Sequence, residues 1–155
     1  MLRILALLRH GLAGGQGPDA GLLPEGSRYL RHLGQRLEAA GWRPAAVVTS
    51  PYRRARETAL LVTGMLGGAV EPHVLDELVP EAEPRVALAA ILARVPLATP
   101  VLVVSHLPLV GRLAQELIGE DPGFSPGTFV EIVREGDGGA RLLRRIGPRD
   151  LRDGV

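Results

Sequence analysis

Short apolar runs alternate with helical patterns along most of this chain. Leu2 to Leu8, Ala45 to Thr49 and Val101 to Val104 are the clearest runs, and turn-forming or polar residues bound them, as expected of buried strands. Helical spacing follows the first run, where leucines recur at positions 30, 33 and 37. Alternation of strands with helices predicts an α/β domain with a mostly parallel sheet.

Capping and helix-breaking residues predict where the helices begin and end. Pro24 and Glu25 suit the first turn of a helix that Gly41 ends. Ser50 as the cap and Pro51 in the first position predict a second helix to about Leu66. The remaining apolar patterns predict helices over Val86 to Val95 and over Leu109 to Ile118.

The remaining segments predict how the sheet is completed. Val70 to Val74 fits a short strand, and Leu75 to Pro84 an acidic loop. Phe129 to Val133 and Arg141 to Ile146 flank a glycine-rich turn, which predicts a hairpin. We therefore expect a three-layer α/β/α sandwich with a mostly parallel sheet and an antiparallel edge.

Length and composition narrow the class of protein further. The 155 residues suit a single domain over residues 1–155. Because 46% of the residues are hydrophobic but 3% are aromatic, we expect a core of aliphatic side chains. The net charge of +1 gives no general attraction to nucleic acid or anionic membranes. The chain has no cysteine, which excludes a thiol nucleophile. The N-terminal apolar stretch contains Arg3 and is too short to span a bilayer, so we expect a cytoplasmic protein.

The three best strand predictions each end in a reactive or anion-binding segment. These segments are Arg9–His10, Ser50 to Arg56 and Ser105–His106. Because the carboxyl ends of parallel strands lie at one edge of a sheet, we expect the segments to meet there. Two histidines and several arginines, with helix N-termini beside them, form a site suited to a phosphoryl group.

Three ordered motifs carry a resemblance to a known family. Leu8-Arg9-His10-Gly11 resembles the signature of the histidine phosphatase superfamily, which includes phosphoglycerate mutases and acid phosphatases. Ser50-Pro51-Tyr52-Arg53-Arg54-Ala55-Arg56-Glu57-Thr58 is similar to its second arginine segment, and Ser105-His106 follows an apolar strand as in that family. The run from Ser105 to Gly111, with Leu78-Val79-Pro80 and the short length, most resembles the SixA-type phosphohistidine phosphatases. The resemblance implies a minimal phosphoglycerate mutase-like fold without a large lid.

The resemblance also implies roles for individual residues. His10 is the implied nucleophile that becomes phosphorylated, and Arg9, Arg54 and His106 are implied to bind the phosphoryl oxygens, with no metal and no other cofactor. Flanking cations stabilise the negative charge of the transition state, which agrees with these roles. Glu77 stands where many members carry the acid that protonates the leaving group.

Several positions keep an alternative. Asp76 and Glu81 compete with Glu77 for the role of the acid, and Gln16 is a loose counterpart of a polar residue of larger relatives. His32 and His73 belong to no motif and are expected at the surface.

Other kinds of site fit the sequence less well. His10 alone would be interpreted as a structural histidine, and only its context reverses that interpretation. A zinc site lacks the usual ligand spacing, and a nucleotide-binding P-loop lacks its lysine.

These inferences predict a metal-independent phosphatase that dephosphorylates phosphohistidine in a protein. A small-molecule phosphomonoesterase is the alternative within the same family. A binding module that recognises phosphate without turnover is the alternative outside catalysis. The expected partners are therefore a phosphorylated protein or a small phosphorylated molecule, with no nucleic acid and no membrane.

Overall fold

The helices and strands follow one another in the predicted alternation. The computed structural model describes residues 2–68 and 70–154, so the two ends of the predicted domain, residues 1 and 155, lie outside the described residues. The strands are β1 (Arg3–Arg9), β2 (Ala46–Thr49), β3 (His73–Val74), β4 (Val101–Ser105), β5 (Phe129–Arg134) and β6 (Ala140–Ile146). The helices are α1 (Pro24–Ala39), α2 (Arg53–Met65), α3 (Pro84–Arg94) and α4 (Leu109–Ile118), with 3-10 turns at Asp76–Leu78 and Pro148–Gly154.

The six strands form one sheet in the order β3-β2-β4-β1-β5-β6. The first four in that order pair in parallel, whereas β5 runs antiparallel to β1 and β6 antiparallel to β5. This is the predicted mostly parallel sheet with an antiparallel edge. The central pair is β1 with β4, two strands that are far apart in the sequence.

Helices cover both faces of this sheet, because side chains on alternate strand positions are buried on opposite sides. On one face, Leu30, Leu33 and Leu37 of α1 and Val62 of α2 pack against β1, β2 and β4. On the other face, the cluster includes Ile91 of α3 and residues of α4. The resulting three layers confirm the α/β/α prediction.

Two predicted boundaries of helices are wrong. The second helix begins at Arg53, two residues after Pro51, because the Ser50 hydroxyl accepts a hydrogen bond from the Tyr52 N–H at 3.1 Å and holds Tyr52 in extended backbone. The third helix begins at Pro84, because the Glu83 side chain accepts the Arg85 N–H and caps it.

Two other predictions differ from the structure in extent. The acidic loop from Leu75 to Pro84 contains a 3-10 turn at Asp76–Leu78. The strand predicted over Val70 to Val74 is limited to His73 and Val74.

Candidate active site

The carboxyl ends of β1 and β4 lie side by side at the centre of the sheet, and a histidine follows each of them. His10 comes directly after β1 and His106 directly after β4. The His10 N–H donates to Ser105 O at 3.0 Å, which continues the β1–β4 pairing by one residue. The two imidazole rings therefore meet edge to face, with their centroids 5.0 Å apart.

Arg54 reaches this pair of histidines from the first turn of α2. Its side chain is buried, and its Nε donates a hydrogen bond to His10 Nε2 at 3.2 Å. Its Nη1 donates to two carbonyls of the glycine-rich loop, Gln16 O at 3.1 Å and Gly17 O at 2.7 Å. The loop backbone and the helix together fix the guanidinium beside the histidine.

Arg9, the last residue of β1, supplies a second guanidinium. Its Nη1 donates to Phe124 O at 2.9 Å, and its buried Nε has no hydrogen-bond partner among the described residues. Burial and the nearby charge of Arg54 lower the pKa of Arg9. An arginine nevertheless stays protonated in proteins, so two cations stand beside His10.

Two hydrogen bonds define the tautomer of His10. The ring Nδ1 lies 2.7 Å from Gly11 O, and because a carbonyl oxygen only accepts, Nδ1 carries the proton. The Arg54 Nε–H donates to Nε2, which therefore carries a lone pair. Both contacts describe the same neutral imidazole with Nε2 as its nucleophilic atom.

Burial keeps both histidines neutral. It lowers the pKa of His10 to about 4; the hydrogen bond to Gly11 opposes this change, and the charges of Arg54 and Arg9 add to it. It lowers the pKa of His106 to about 3, with the neighbouring His10, Arg54 and Arg9 acting in the same direction. At neutral pH the His10 ring is therefore in the form that can attack phosphorus.

His106 is held by residues that precede α2. Its Nε2 lies 2.7 Å from the buried Ser50 Oγ, and the Tyr52 ring packs against the imidazole at a centroid distance of 4.8 Å. The Arg54 guanidinium lies over the same Tyr52 ring, 4.9 Å from its centroid. Tyr52 thus contacts two of the predicted phosphate-binding groups.

A cavity of about 590 Å³ lies above these residues. It brings together four of the five predicted site residues: Arg9, His10, Arg54 and His106. Gln16, Tyr52 and Glu81 also line it, as do the apolar residues Leu12, Ala13, Pro80, Leu107 and Pro126. The lining therefore combines the two guanidinium groups with several apolar side chains.

The fifth predicted residue, Glu77, is not brought to this cavity. It lies exposed in the 3-10 turn after β3 and does not line the cavity, whereas its rival Glu81 does. Asp76 is exposed in the same turn. Of the two histidines without a motif, His32 is half-buried on α1 and His73 accepts a hydrogen bond from Arg94 at 3.2 Å.

Two other kinds of feature are absent from the part of the chain that the structure describes. Over residues 2–68 and 70–154, no group of three or more histidine, aspartate or glutamate side chains is placed to hold a metal ion. Over the same residues, no helix has the length and apolar character needed to cross a bilayer.

The segment before β5 contributes to the site although sequence reasoning assigned it no role. Phe124 O holds Arg9, Pro126 lines the cavity, and the Gly127 N–H donates to Arg9 O and His10 O, both at 3.0 Å. The segment reaches the site because β5 pairs antiparallel with β1, so the loop before β5 lies at the carboxyl end of β1. The contribution of this segment to the site could have been predicted from the pairing of β5 with β1.

Comparison with known proteins identifies the family. Residues 5–80 match the family model described as histidine phosphatase superfamily, branch 1. A solved structure of the protein histidine phosphatase SixA, complexed with tungstate, is similar over 96% of this chain and 99% of that chain, with a TM-score of 0.88 and 26% identity. Residues 5–80 thus match the histidine phosphatase superfamily, and the SixA structure extends the likeness to 96% of the chain.

Other solved structures share the fold with lower TM-scores. A proposed SixA phosphohistidine phosphatase from Nakamurella multipartitia is 28% identical, with a TM-score of 0.78 over 96% of this chain and 97% of that chain. A proposed alpha-ribazole-5'-P phosphatase from Escherichia coli has a TM-score of 0.75 at 20% identity, over 95% and 98% of the two chains. No curated protein matches the sequence significantly.

The match over residues 5–80 and the SixA structures together confirm the resemblance to the histidine phosphatase superfamily and the expectation of a phosphatase. The SixA structures confirm the fold as phosphoglycerate mutase-like and without a large lid. The similar structures are named for different phosphorylated compounds, so the likeness alone does not identify the substrate.

Proposed function

We propose that this protein is a metal-independent phosphatase in which His10 Nε2 takes the phosphoryl group. The observation that carries the proposal is a neutral histidine whose unprotonated Nε2 is beside two guanidinium groups in one cavity. A nucleophile needs an unprotonated atom with a lone pair, and phosphoryl transfer needs positive charge around the equatorial oxygens. The site supplies both.

The reaction follows from this arrangement in two steps. The Arg54 Nε–H leaves His10 Nε2 and donates to a phosphoryl oxygen instead, with Arg9 and His106 binding the other oxygens. The Nε2 lone pair then forms a bond to phosphorus while the bond from phosphorus to the leaving group breaks. Water then attacks the phosphorus of phospho-His10, the N–P bond breaks, and phosphate leaves. Removal of one such donor is expected to lower kcat by about a hundredfold to a thousandfold.

We further propose phosphohistidine in a protein as the substrate. The support comes from the SixA structures at 26% and 28% identity and from the lining of the cavity. Leu12 and Leu107 belong to that lining, and each has 39% of its surface exposed. Exposed apolar side chains in a cavity that also holds two guanidinium groups suit a polypeptide with apolar neighbours of the phosphorylated residue better than a small polar metabolite.

One observation favours a second candidate, a small-molecule phosphomonoesterase. Glu81 lines the cavity, and a carboxyl group there is of the type that protonates the oxygen of an ester leaving group. A phosphohistidine leaving group is an imidazole that water protonates readily, so the proposed main substrate needs no such acid. The dependence of turnover on Glu81 therefore distinguishes the two candidates.

The test compares a phosphohistidine protein with para-nitrophenyl phosphate for the wild type and for His10→Ala, Glu81→Gln and Glu77→Gln. We expect faster turnover of the phosphohistidine protein, no turnover by His10→Ala, and little effect of Glu81→Gln on that substrate. Glu77→Gln is the matched control, because Glu77 is exposed and lies outside the cavity. Preference for the ester, lost in Glu81→Gln, would favour the phosphomonoesterase, and turnover by His10→Ala would contradict the proposed nucleophile.

A further inference from the structure

Thr58 joins the segment that carries His10 to the helix that carries Arg54. It lies fully buried on α2, one helical turn after Arg54. Its Oγ1 accepts a hydrogen bond from the Gly11 N–H at 3.1 Å and donates one to Arg54 O at 2.7 Å. A single hydroxyl therefore connects the backbone of the proposed nucleophile's segment to the backbone of the arginine.

These contacts belong to a closed ring of hydrogen bonds that includes His10. Thr58 binds the Gly11 N–H, and Gly11 O accepts a hydrogen bond from the His10 Nδ1–H at 2.7 Å. His10 Nε2 in turn accepts a hydrogen bond from Arg54 Nε at 3.2 Å, and Arg54 and Thr58 lie on the same helix, α2. The position and tautomer of the imidazole thus depend on where the Gly11 backbone is held.

Packing against α1 limits movement of the Gly11 backbone in one direction. A Cβ built on Gly11 would lie 2.7 Å from a methyl carbon of Leu30, so this side is closed by α1. On the side of α2, the contact that the structure gives the Gly11 N–H is the Thr58 hydroxyl. A buried N–H that loses its acceptor is unfavourable, and the peptide group then rotates or shifts to find another.

We propose that Thr58 is a positioning residue that orients His10 through the Gly11 backbone. This inference rests on the proposed role of His10 as the nucleophile. Valine has the shape of threonine but no hydroxyl, so Thr58→Val removes both hydrogen bonds with little change in packing volume. Thr58→Ser retains the hydroxyl and is expected to retain the function.

The chain offers a matched control on the same helix. Thr63 is also buried on α2, and its hydroxyl donates to Ala59 O at 2.8 Å, four residues earlier, as that of Thr58 does to Arg54 O. Within the described part of the chain, this hydroxyl bonds to the helix backbone and not to the segment after β1. Thr63→Val therefore reproduces the loss within the helix without freeing Gly11.

The kinetic test measures kcat and KM on a phosphohistidine protein for these three variants and the wild type. Thr58→Val is expected to lower kcat by about tenfold to a hundredfold, because small misplacements of a reacting group have effects of that size. Its KM should change by less than about threefold, because Arg9, Arg54 and His106 still bind phosphate. Thr58→Ser and Thr63→Val should remain within about threefold of the wild-type kcat.

A second measurement is independent of turnover. The imidazole Nδ1–H proton of His10 is observed by NMR and assigned through its loss in His10→Ala. It should broaden or shift in Thr58→Val and stay unchanged in Thr63→Val, and in the wild type the Gly11 amide should exchange with solvent more slowly than the exposed Gly15 amide. If the wild type hydrolyses neither a phosphohistidine protein nor para-nitrophenyl phosphate, the proposed function fails. The NMR result still decides whether Thr58 positions His10.

Either of two results would overturn the inference. One is a Thr58→Val variant with unchanged kcat and an unchanged His10 Nδ1–H signal. The other is an equal loss of kcat in Thr63→Val, which would assign the effect to the stability of α2. Should Thr58→Val fail to fold, rapid exchange of the wild-type Gly11 amide would be the contradicting observation.

Discussion

Arg9 and Arg54 place two positive charges beside a histidine that has to stay neutral. Burial is the larger reason why the pKa of His10 falls to about 4, and the two guanidinium groups add to it. The charges that are proposed to stabilise a phosphoryl group thus also help to keep the proposed nucleophile deprotonated. In the proposed mechanism, substrate binding and activation of the nucleophile depend on the same side chains.

This coupling predicts the acid side of the pH profile. A free histidine protonates near pH 6.5, whereas His10 should keep its Nε2 lone pair down to about pH 4. After correction for titration of the substrate, kcat/KM should therefore hold its plateau from pH 7 to about pH 5. An NMR titration of His10 in the free enzyme checks the assignment, and a fall in kcat/KM centred near pH 6.5 would contradict it.

At the scale of elements, α1 supports the segment that follows His10. Gly26 lies in the first turn of α1, where a Cβ would come within 2.5 Å of Leu12 O and 3.0 Å of Leu12 N. The Leu23 N–H donates to the same Leu12 O at 2.9 Å. The helix can approach the backbone of Leu12 this closely because residue 26 has no side chain.

Gly26→Ala is therefore expected to lower the free energy of unfolding by about 1–3 kcal/mol, as overpacking of a filled interior does. Gly64→Ala is the matched control, because Gly64 lies in α2 and a Cβ added there would have no contact within 4 Å outside its own helix backbone and chain neighbours. This control should be neutral or should stabilise the protein by about 0.5–1 kcal/mol. Urea unfolding followed by circular dichroism measures both, and equal effects of the two substitutions would refute the packing argument.

Elements with strong local signals were predictable from the sequence. The helix α4 spans the predicted Leu109 to Ile118, because Gly119 in the left-handed region ends it. The predicted start of α2 was wrong because Ser50 bonds to Tyr52 and His106, and the contact with His106 depends on the tertiary fold. Local pattern predicts an element, whereas its ends also depend on contacts from distant parts of the chain.

The candidate site was also predictable from the sequence only in part. His10 and His106 could be placed together because each follows an apolar strand, and their strands proved to be neighbours. The acid could not be chosen, because Glu77 and Glu81 lie in one loop and the turn at Asp76–Leu78 decides which of them lines the cavity. The contacts of Phe124 and Gly127 required the pairing of β5 with β1, which one sequence does not determine.

For the molecule as a whole, the two buried histidines make stability depend on pH. Their pKa values are about 4 and about 3 in the folded protein, whereas an unfolded chain takes up these protons near pH 6.5. Between those values the unfolded state binds more protons than the folded state. The stabilisation is therefore complete above about pH 6.5 and is lost progressively as the pH falls towards the folded-state values.

We expect the free energy of unfolding to fall more steeply between about pH 7 and pH 5 in the wild type than in the double variant His10→Gln, His106→Gln. His32→Gln is the control for the loss of a histidine outside the site, since His32 lies on α1 and does not line the cavity. Urea unfolding at several pH values measures the slopes. Parallel curves for the wild type and the double variant would show that these histidines do not account for the dependence.

The central position of β1 also bears on how the molecule is assembled. Both neighbours of β1 come much later in the chain, at Val101–Ser105 (β4) and Phe129–Arg134 (β5). During synthesis, β1 therefore has two unpaired edges until most of the chain has emerged, which is the condition under which exposed strands associate with other chains. Because His10 and His106 meet only when β4 pairs with β1, catalytic activity should be one of the last properties recovered on refolding, and its recovery would report complete assembly of the sheet.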